Sequence, residues 1–240
     1  MKNLILTIIL AITLHCASSA EVLPQLKREK PDMEQIKRDI LDRTSPYYYP
    51  RLMEEFQRND TLMKIDKFRH LYLGYMFQED YTPYRSGESK MRFAVRGNEK
   101  INITRQVCDS VIADAERALA DNPFDLAQMN MLIAALNEKG KTNLAKIWQY
   151  KFDYLLMAIL STGSGRDEEN AWYVIDPQHE YVLLNTMGYI VDDHVFYDPC
   201  YDFITVTDKS GKHAGGYYFN IANLLEEYFR KHPDELEERD

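Results

Sequence analysis

Cysteine is scarce in this chain: Cys16, Cys108 and Cys200 are the three in 240 residues, too few for a disulfide scaffold. Positive charge is also short, with 29 Lys and Arg against 38 Asp and Glu and a formal net charge of −9. The basic residues are interspersed with acids, and a nucleic-acid footprint needs a basic stripe, so that partner is excluded. Beyond the first twenty residues no apolar run is long enough to cross a membrane as a helix. Catalytic signatures are missing as well. His179-Glu180 looks like the start of a metalloprotease helix, but Leu183 stands where the second histidine belongs. Gly163-Ser164-Gly165-Arg166 offers backbone N–H groups for an anion, yet it lacks the lysine and spacing of a phosphate loop.

What is present begins with a leader. MKNLILTIILAITLHCASSA has a basic Lys2, an apolar run from Leu4 to Leu14 and the small residues Ser18-Ser19-Ala20. It reads as a signal peptide over residues 1–20, cut after Ala20 to leave Glu21 first. Lipidation at Cys16 is the weaker reading, because His15 occupies the place where a small residue is wanted. The expected destination is therefore export, periplasmic or secreted. Residues 21–240 then form one α+β domain.

The helical part, about 32–160, is legible from spacing. Asp32 caps a helix with Gln35 three residues on, and Met33, Ile36, Ile40 and Leu41 mark its buried side. Ser45-Pro46 ends it. Leu52 and Phe56 carry a short helix, and Ile65, Phe68, Tyr72, Tyr75 and Met76 another. The stretch from Gln78 to Lys100 is long, polar and loop-like. Three helices follow. Val107, Val111, Ala115 and Ala118 define the first face, which Asn122-Pro123 terminates. Met129, Leu132, Ala135 and Leu136 define the second, with Gly140 as its left-handed cap. Ile147, Tyr150, Tyr154 and Met157 define the third.

This trio resembles one tetratricopeptide unit, carried by Ala118, Pro123, Leu132, Ala135, Leu136, Gly140 and Ala145, although no second copy follows. After the connector STGSGRDEEN the strand-containing part spans about 170–231. Trp172–Ile175, Tyr189–Val191, Val195–Tyr197 and Phe203–Thr207 read as strands. Asp176-Pro177 opens a helix that Gly188 closes. A turn at Asp208–Gly211 returns Tyr217–Phe219 to the sheet, and Ile221, Leu224, Leu225, Tyr228 and Phe229 mark a last helix. The acidic tail 232–240 is expected to be frayed. The fold class is thus α+β: a helical, tetratricopeptide-like N-terminal two-thirds packed with a small antiparallel sheet and flanking helices.

SPYYYPRLMEEF and FRHLYLGYMFQEDYTPYR resemble a family of exported bacterial proteins described as domain of unknown function 4919, DUF4919. NPFDLAQMN, HEYVLLNTMGY, YDFITVT and YYFNI fit the same pattern, so the resemblance covers nearly the whole mature chain. It implies no activity, substrate or catalytic residue.

Weighing single residues assigns no catalytic, cofactor-binding or metal site. Asp192, Asp193, His194 and Asp198, with Cys200 and Asp202 beyond, have metal-ligand chemistry but neither EF-hand nor zinc-site spacing. Cys200 with His194 or His179 has the composition of a thiol nucleophile and base, and nothing in the sequence orients them. Cys108 reads as a buried small hydrophobe within a helix, and its pairing with Cys200 is left open. Tyr47-Tyr48-Tyr49, Tyr81 and Tyr84 suit either packing or a sugar-binding surface. The leading functional reading is a non-catalytic module binding another envelope protein or a peptide. The alternatives are a glycan-binding accessory protein using its tyrosines, then a hydrolase-type enzyme built on His179, Glu180, His194 or Cys200.

Overall fold

A computed structural model describes residues 26–82 and 103–234. The expectations for the leader, Tyr84, most of the 78–100 loop and the end of the acidic tail lie outside the described residues.

Helix α1 (Met33–Leu41) starts where the Asp32 carboxylate accepts the Gln35 N–H at 2.8 Å. Ile36 and Ile40 are buried. Leu41, expected on the same side, is 63% exposed; one residue past Ile40 turns it about 100° out of the core. Helix α2 (Tyr49–Gln57) has Pro50 in its first turn, where its missing N–H costs nothing, and it buries Leu52 and Phe56. Helix α3 (Ile65–Gly74) runs into a 3₁₀ turn at Tyr75–Phe77. It packs closely on α1: a Cβ added to Gly74 would lie 2.9 Å from Ile40 Cγ2.

The next three helices are α4 (Cys108–Asp121), α5 (Leu126–Glu138) and α6 (Thr142–Leu160). The α4 face is rotated from the expected one. Cys108, Val111, Ile112, Ala115 and Leu119 are buried, while Val107 precedes the helix and is 45% exposed. Asp125 caps α5, and Gly140 takes φ 81° behind it. Short connections and close contact make α4, α5 and α6 successive antiparallel neighbours. In α6 the expected face is only half-buried, and Phe152, Leu155, Leu156, Ala158 and Ile159 go deepest. The reason is a second neighbour: α3 lies on α6, with Phe68 against Tyr150 and Tyr154. Among the described residues, this side of α6 is filled by the chain's own helix rather than left as an open groove.

Then come β1 (Trp172–Tyr173), α7 (Gln178–Thr186), β2 (Ile190–Tyr197), β3 (Tyr201–Thr207), β4 (His213–Asn220) and α8 (Ala222–Lys231). The sheet order is β1-β4-β3-β2. It is mixed rather than wholly antiparallel, because β1 runs parallel to β4. Only Trp172 and Tyr173 of the expected first strand pair. The two segments expected at Tyr189–Val191 and Val195–Tyr197 are one strand, with a register shift between Val191 and Asp193. On β3 the period of two puts Asp202, Ile204 and Val206 inward and Tyr201, Phe203 and Thr205 outward. Helix α7 sits between the two parts, touching α5 on one side and β2 on the other. One apolar cluster runs from Ile36 through the helices to Ile204, Val206 and Phe219.

Candidate functional site

The placement of α7 decides the site geometry. Its neighbours His179 and Glu180 are both buried, about 100° apart around the helix axis. His179 meets the helices and Glu180 meets the sheet.

On the helical side the Tyr72 hydroxyl lies 2.7 Å from His179 Nδ1 and accepts the Ile175 N–H at 3.3 Å. The tyrosine proton therefore goes to Nδ1, and the imidazole carries its own proton on Nε2. Burial pushes the His179 pKa down, so the ring is neutral. The Phe124 backbone is close, yet Nε2 closes no hydrogen bond of good geometry. Tyr75, Tyr81, Asn122, Asp176 and His179 line a small cleft here, with room for roughly one water molecule. That is too little for a substrate. Tyr81 is committed as well, its hydroxyl donating to the Ile175 carbonyl at 2.7 Å.

On the sheet side, Glu180, His194 and Asp202 converge. One ligating atom from each lies within 4.8 Å of the other two. His194 Nε2 is 3.0 Å from Asp202 Oδ1, and the Tyr181 hydroxyl is 2.9 Å from His194 Nδ1. Asp202 is 4% exposed and Glu180 fully buried. Burial, followed by the neighbouring Asp202 carboxylate, pushes the Glu180 pKa well above the ordinary carboxylate range. Asp202 is near enough to raise it, but neither Glu180 oxygen closes a hydrogen bond of good geometry. The hydrogen bond to Asp202 pulls the His194 pKa up.

The remaining sequence candidates are not gathered. Asp192, Asp193 and Asp198 stay on the surface, and the Asp193 carboxylate accepts the His194 N–H at 2.9 Å. Cys108 and Cys200 are free thiols. Burial pushes the Cys200 thiol up, with Glu168 adding to the effect, which is opposite to nucleophile activation. The glycine connector does not present its amides to an anion: Ser164 and Gly165 both donate to the Asn170 carbonyl, at 2.9 and 2.8 Å. Its glycines serve close packing, since a Cβ on Gly165 would fall 2.7 Å from the Trp172 ring. Tyr47 stacks on His70 at 3.7 Å, and Tyr49 is buried.

A different aromatic surface does exist. On the outer face of the sheet, Phe203 and Tyr218 lie 4.5 Å apart and Tyr197 flanks Phe203 at 6.0 Å. Gly216 leaves the room that the Phe203 ring fills. At the free edge of β2, Val195, Phe196 and Tyr197 are 40%, 43% and 43% exposed.

Sequence reasoning named Glu180 and Asp202 but did not join them. The usable signal was an acid at a core position of each element. Glu180 shares its helix side with Leu183 and Leu184, and Asp202 alternates with Ile204 and Val206.

Among the described residues, these features define an α+β protein with a buried acid–imidazole cluster and an open, apolar sheet edge. Residues 34–230 match the family described as a domain of unknown function (DUF4919), and the chain belongs to that family. No curated protein and no solved structure matches it.

Proposed function

We propose that this is an exported, non-catalytic binding module that takes up an extended segment of a partner protein along the free edge of β2. The observation that carries this reading is the exposure of Val195-Phe196-Tyr197 on an edge that no strand pairs with among the described residues. An edge strand presents unpaired N–H and C=O groups, and natural sheets normally blunt it with charge or irregularity. The first half of β2 is so treated, by Asp192, Asp193 and the register shift. The second half is not. An added strand would gain main-chain hydrogen bonds over an edge about 27 Å long, with aromatic rings beside it to select side chains.

Asp192, Asp193 and Asp198 flank the apolar stretch, so the matching segment is apolar at its centre with Lys or Arg at its ends. A glycan platform is supported less well. Tyr197 and Phe203 meet at 79° and Phe203 and Tyr218 at 40°, so the rings interlock and present no flat shelf. The apolar run and small-residue site of residues 1–20 support export.

A photo-crosslinking residue at Tyr197, with Glu138 as a remote control position, tests the reading in the native host. The expected result is one partner captured from Tyr197 through a basic-flanked extended segment, and none from Glu138. Val195→Lys should abolish capture without altering the circular dichroism. Equal capture from both positions, capture of a second copy of this chain, or indifference to Val195→Lys would overturn it. N-terminal sequencing of the native protein tests export, with Glu21 expected first.

A further inference from the structure

We propose that Glu180, His194 and Asp202 bind a divalent first-row transition ion, bracing α7 against β2 and β3. The three groups come from three elements and supply two carboxylate oxygens and one imidazole nitrogen, all mutually within 4.8 Å. Ligands on one ion, at bond lengths of about 2.0–2.2 Å, stand about 3.0–3.5 Å apart at tetrahedral or octahedral angles. The 3.0 Å between His194 Nε2 and Asp202 Oδ1 already meets that spacing.

Glu180 supplies the independent indication. Both its oxygens are buried at the cluster, and neither closes a hydrogen bond of good geometry, Asp202 being the nearest polar group. Such an orphaned carboxyl costs folding free energy unless something satisfies it. Beside the Asp202 carboxylate, Glu180 can ionise only with a positive charge between them, which a dication would supply to both. His194 is oriented as a ligand should be. In the structure Nε2–H faces Asp202; an ion taking that proton's place would leave Nδ1–H to donate to the Tyr181 hydroxyl, which holds the ring with its Nε2 lone pair toward the cluster. The imidazole side chain is one-third exposed, so an ion can enter from solvent and complete its coordination with water. One imidazole with two carboxylates suits Zn²⁺ or Mn²⁺, whereas Ca²⁺ prefers oxygen alone and Cu⁺ prefers sulfur.

The test uses untagged full-length protein stripped with a chelator and titrated with ZnCl₂ by isothermal calorimetry, with thermal unfolding in parallel. One Zn²⁺ per chain and a raised Tm are expected. Glu180→Gln keeps size and shape, and it should weaken binding at least tenfold while the protein stays folded. Asp202→Asn should do the same. Asp193→Asn, an adjacent surface acid, should leave binding unchanged. The proposal is overturned if Zn²⁺ does not bind at millimolar concentration, which would leave a carboxyl pair sharing a proton. It is equally overturned if folded Glu180→Gln binds like the parent, or if Asp193→Asn removes the site.

Discussion

Lys151 offers the sharpest energetic test of the helical core. It lies on α6, is 5% exposed, and its ammonium sits 4.5 Å from the ring centroids of both Phe56 and Trp148. Among the described residues no carboxylate forms an ion pair with it. Burial pushes its pKa down from 10.5 to about 8. At about 1.4 kcal/mol per pH unit, that drop corresponds to at most about 3.5 kcal/mol of stability lost while the lysine is charged. Two ring faces attract the cation and offset about 1–2 kcal/mol of this. Lys151→Met keeps the length, removes the charge and retains a favourable contact with the rings. We expect it to raise stability at pH 7 by about 1–2 kcal/mol, or about 2–8 °C in Tm for a chain of this size.

The pH dependence fixes the cause. The folded chain gives up this proton near pH 8 and the unfolded chain near 10.5, so between those values the unfolded state holds more protons. Parent stability therefore gains from rising pH across that window, and the advantage of Lys151→Met shrinks to nothing by its upper end. Urea denaturation of both proteins at pH 7, 8.5 and 10 measures the difference, and the many tyrosines cancel in it. A variant less stable than the parent at pH 7, or a gap that stays constant with pH, would refute the reasoning.

Three further outcomes are expected. Ala135 and Ala145 are buried on adjoining helices, so enlarging either to Leu should cost about 1–3 kcal/mol; exposed Glu138→Leu should change the urea midpoint by less than about 0.5 kcal/mol. Gly163→Ala would put a Cβ 2.2 Å from the Asn170 carbonyl oxygen and should lower Tm far more than Gly140→Ala. The latter meets open space and carries only its left-handed backbone penalty, about 1 kcal/mol. Cys200→Ser should leave Tm and near-ultraviolet circular dichroism unchanged, because the thiol is free and its pKa is raised.

Local signals in the sequence reported local structure well. Asp32 and Gly140 act at helix ends through contacts within four residues, and each is where spacing put it. Faces were harder to read. Val107 and Leu41 fit the helical period but lie at an end where the chain has already turned from the core. The deep face of α6 depends on α3, far earlier in the chain, and spacing within α6 carries no record of it. The acid–imidazole cluster was illegible for the same reason. Glu180, His194 and Asp202 meet only because β2 and β3 pair in one register under α7, with His194 opposite Ile204.

The connector between the helical part and the sheet has a consequence for covalent continuity. Ser164, Gly165 and Asn170 are tied to one another, Trp172 Nε1 donates to the Gly163 carbonyl, Thr162 Oγ1 accepts the Tyr173 N–H, and the Gly165 carbonyl accepts from Tyr218. Residues 166–170 alone bulge into solvent. A single cut after Arg166 thus severs the backbone where few tertiary contacts depend on it. The two fragments stay joined by the Tyr72–His179 and Tyr81–Ile175 hydrogen bonds and share the apolar cluster on either side of the break. They are expected to stay associated through gel filtration and to reassemble when expressed separately, which makes this exposed turn a natural place to split the protein into complementing halves.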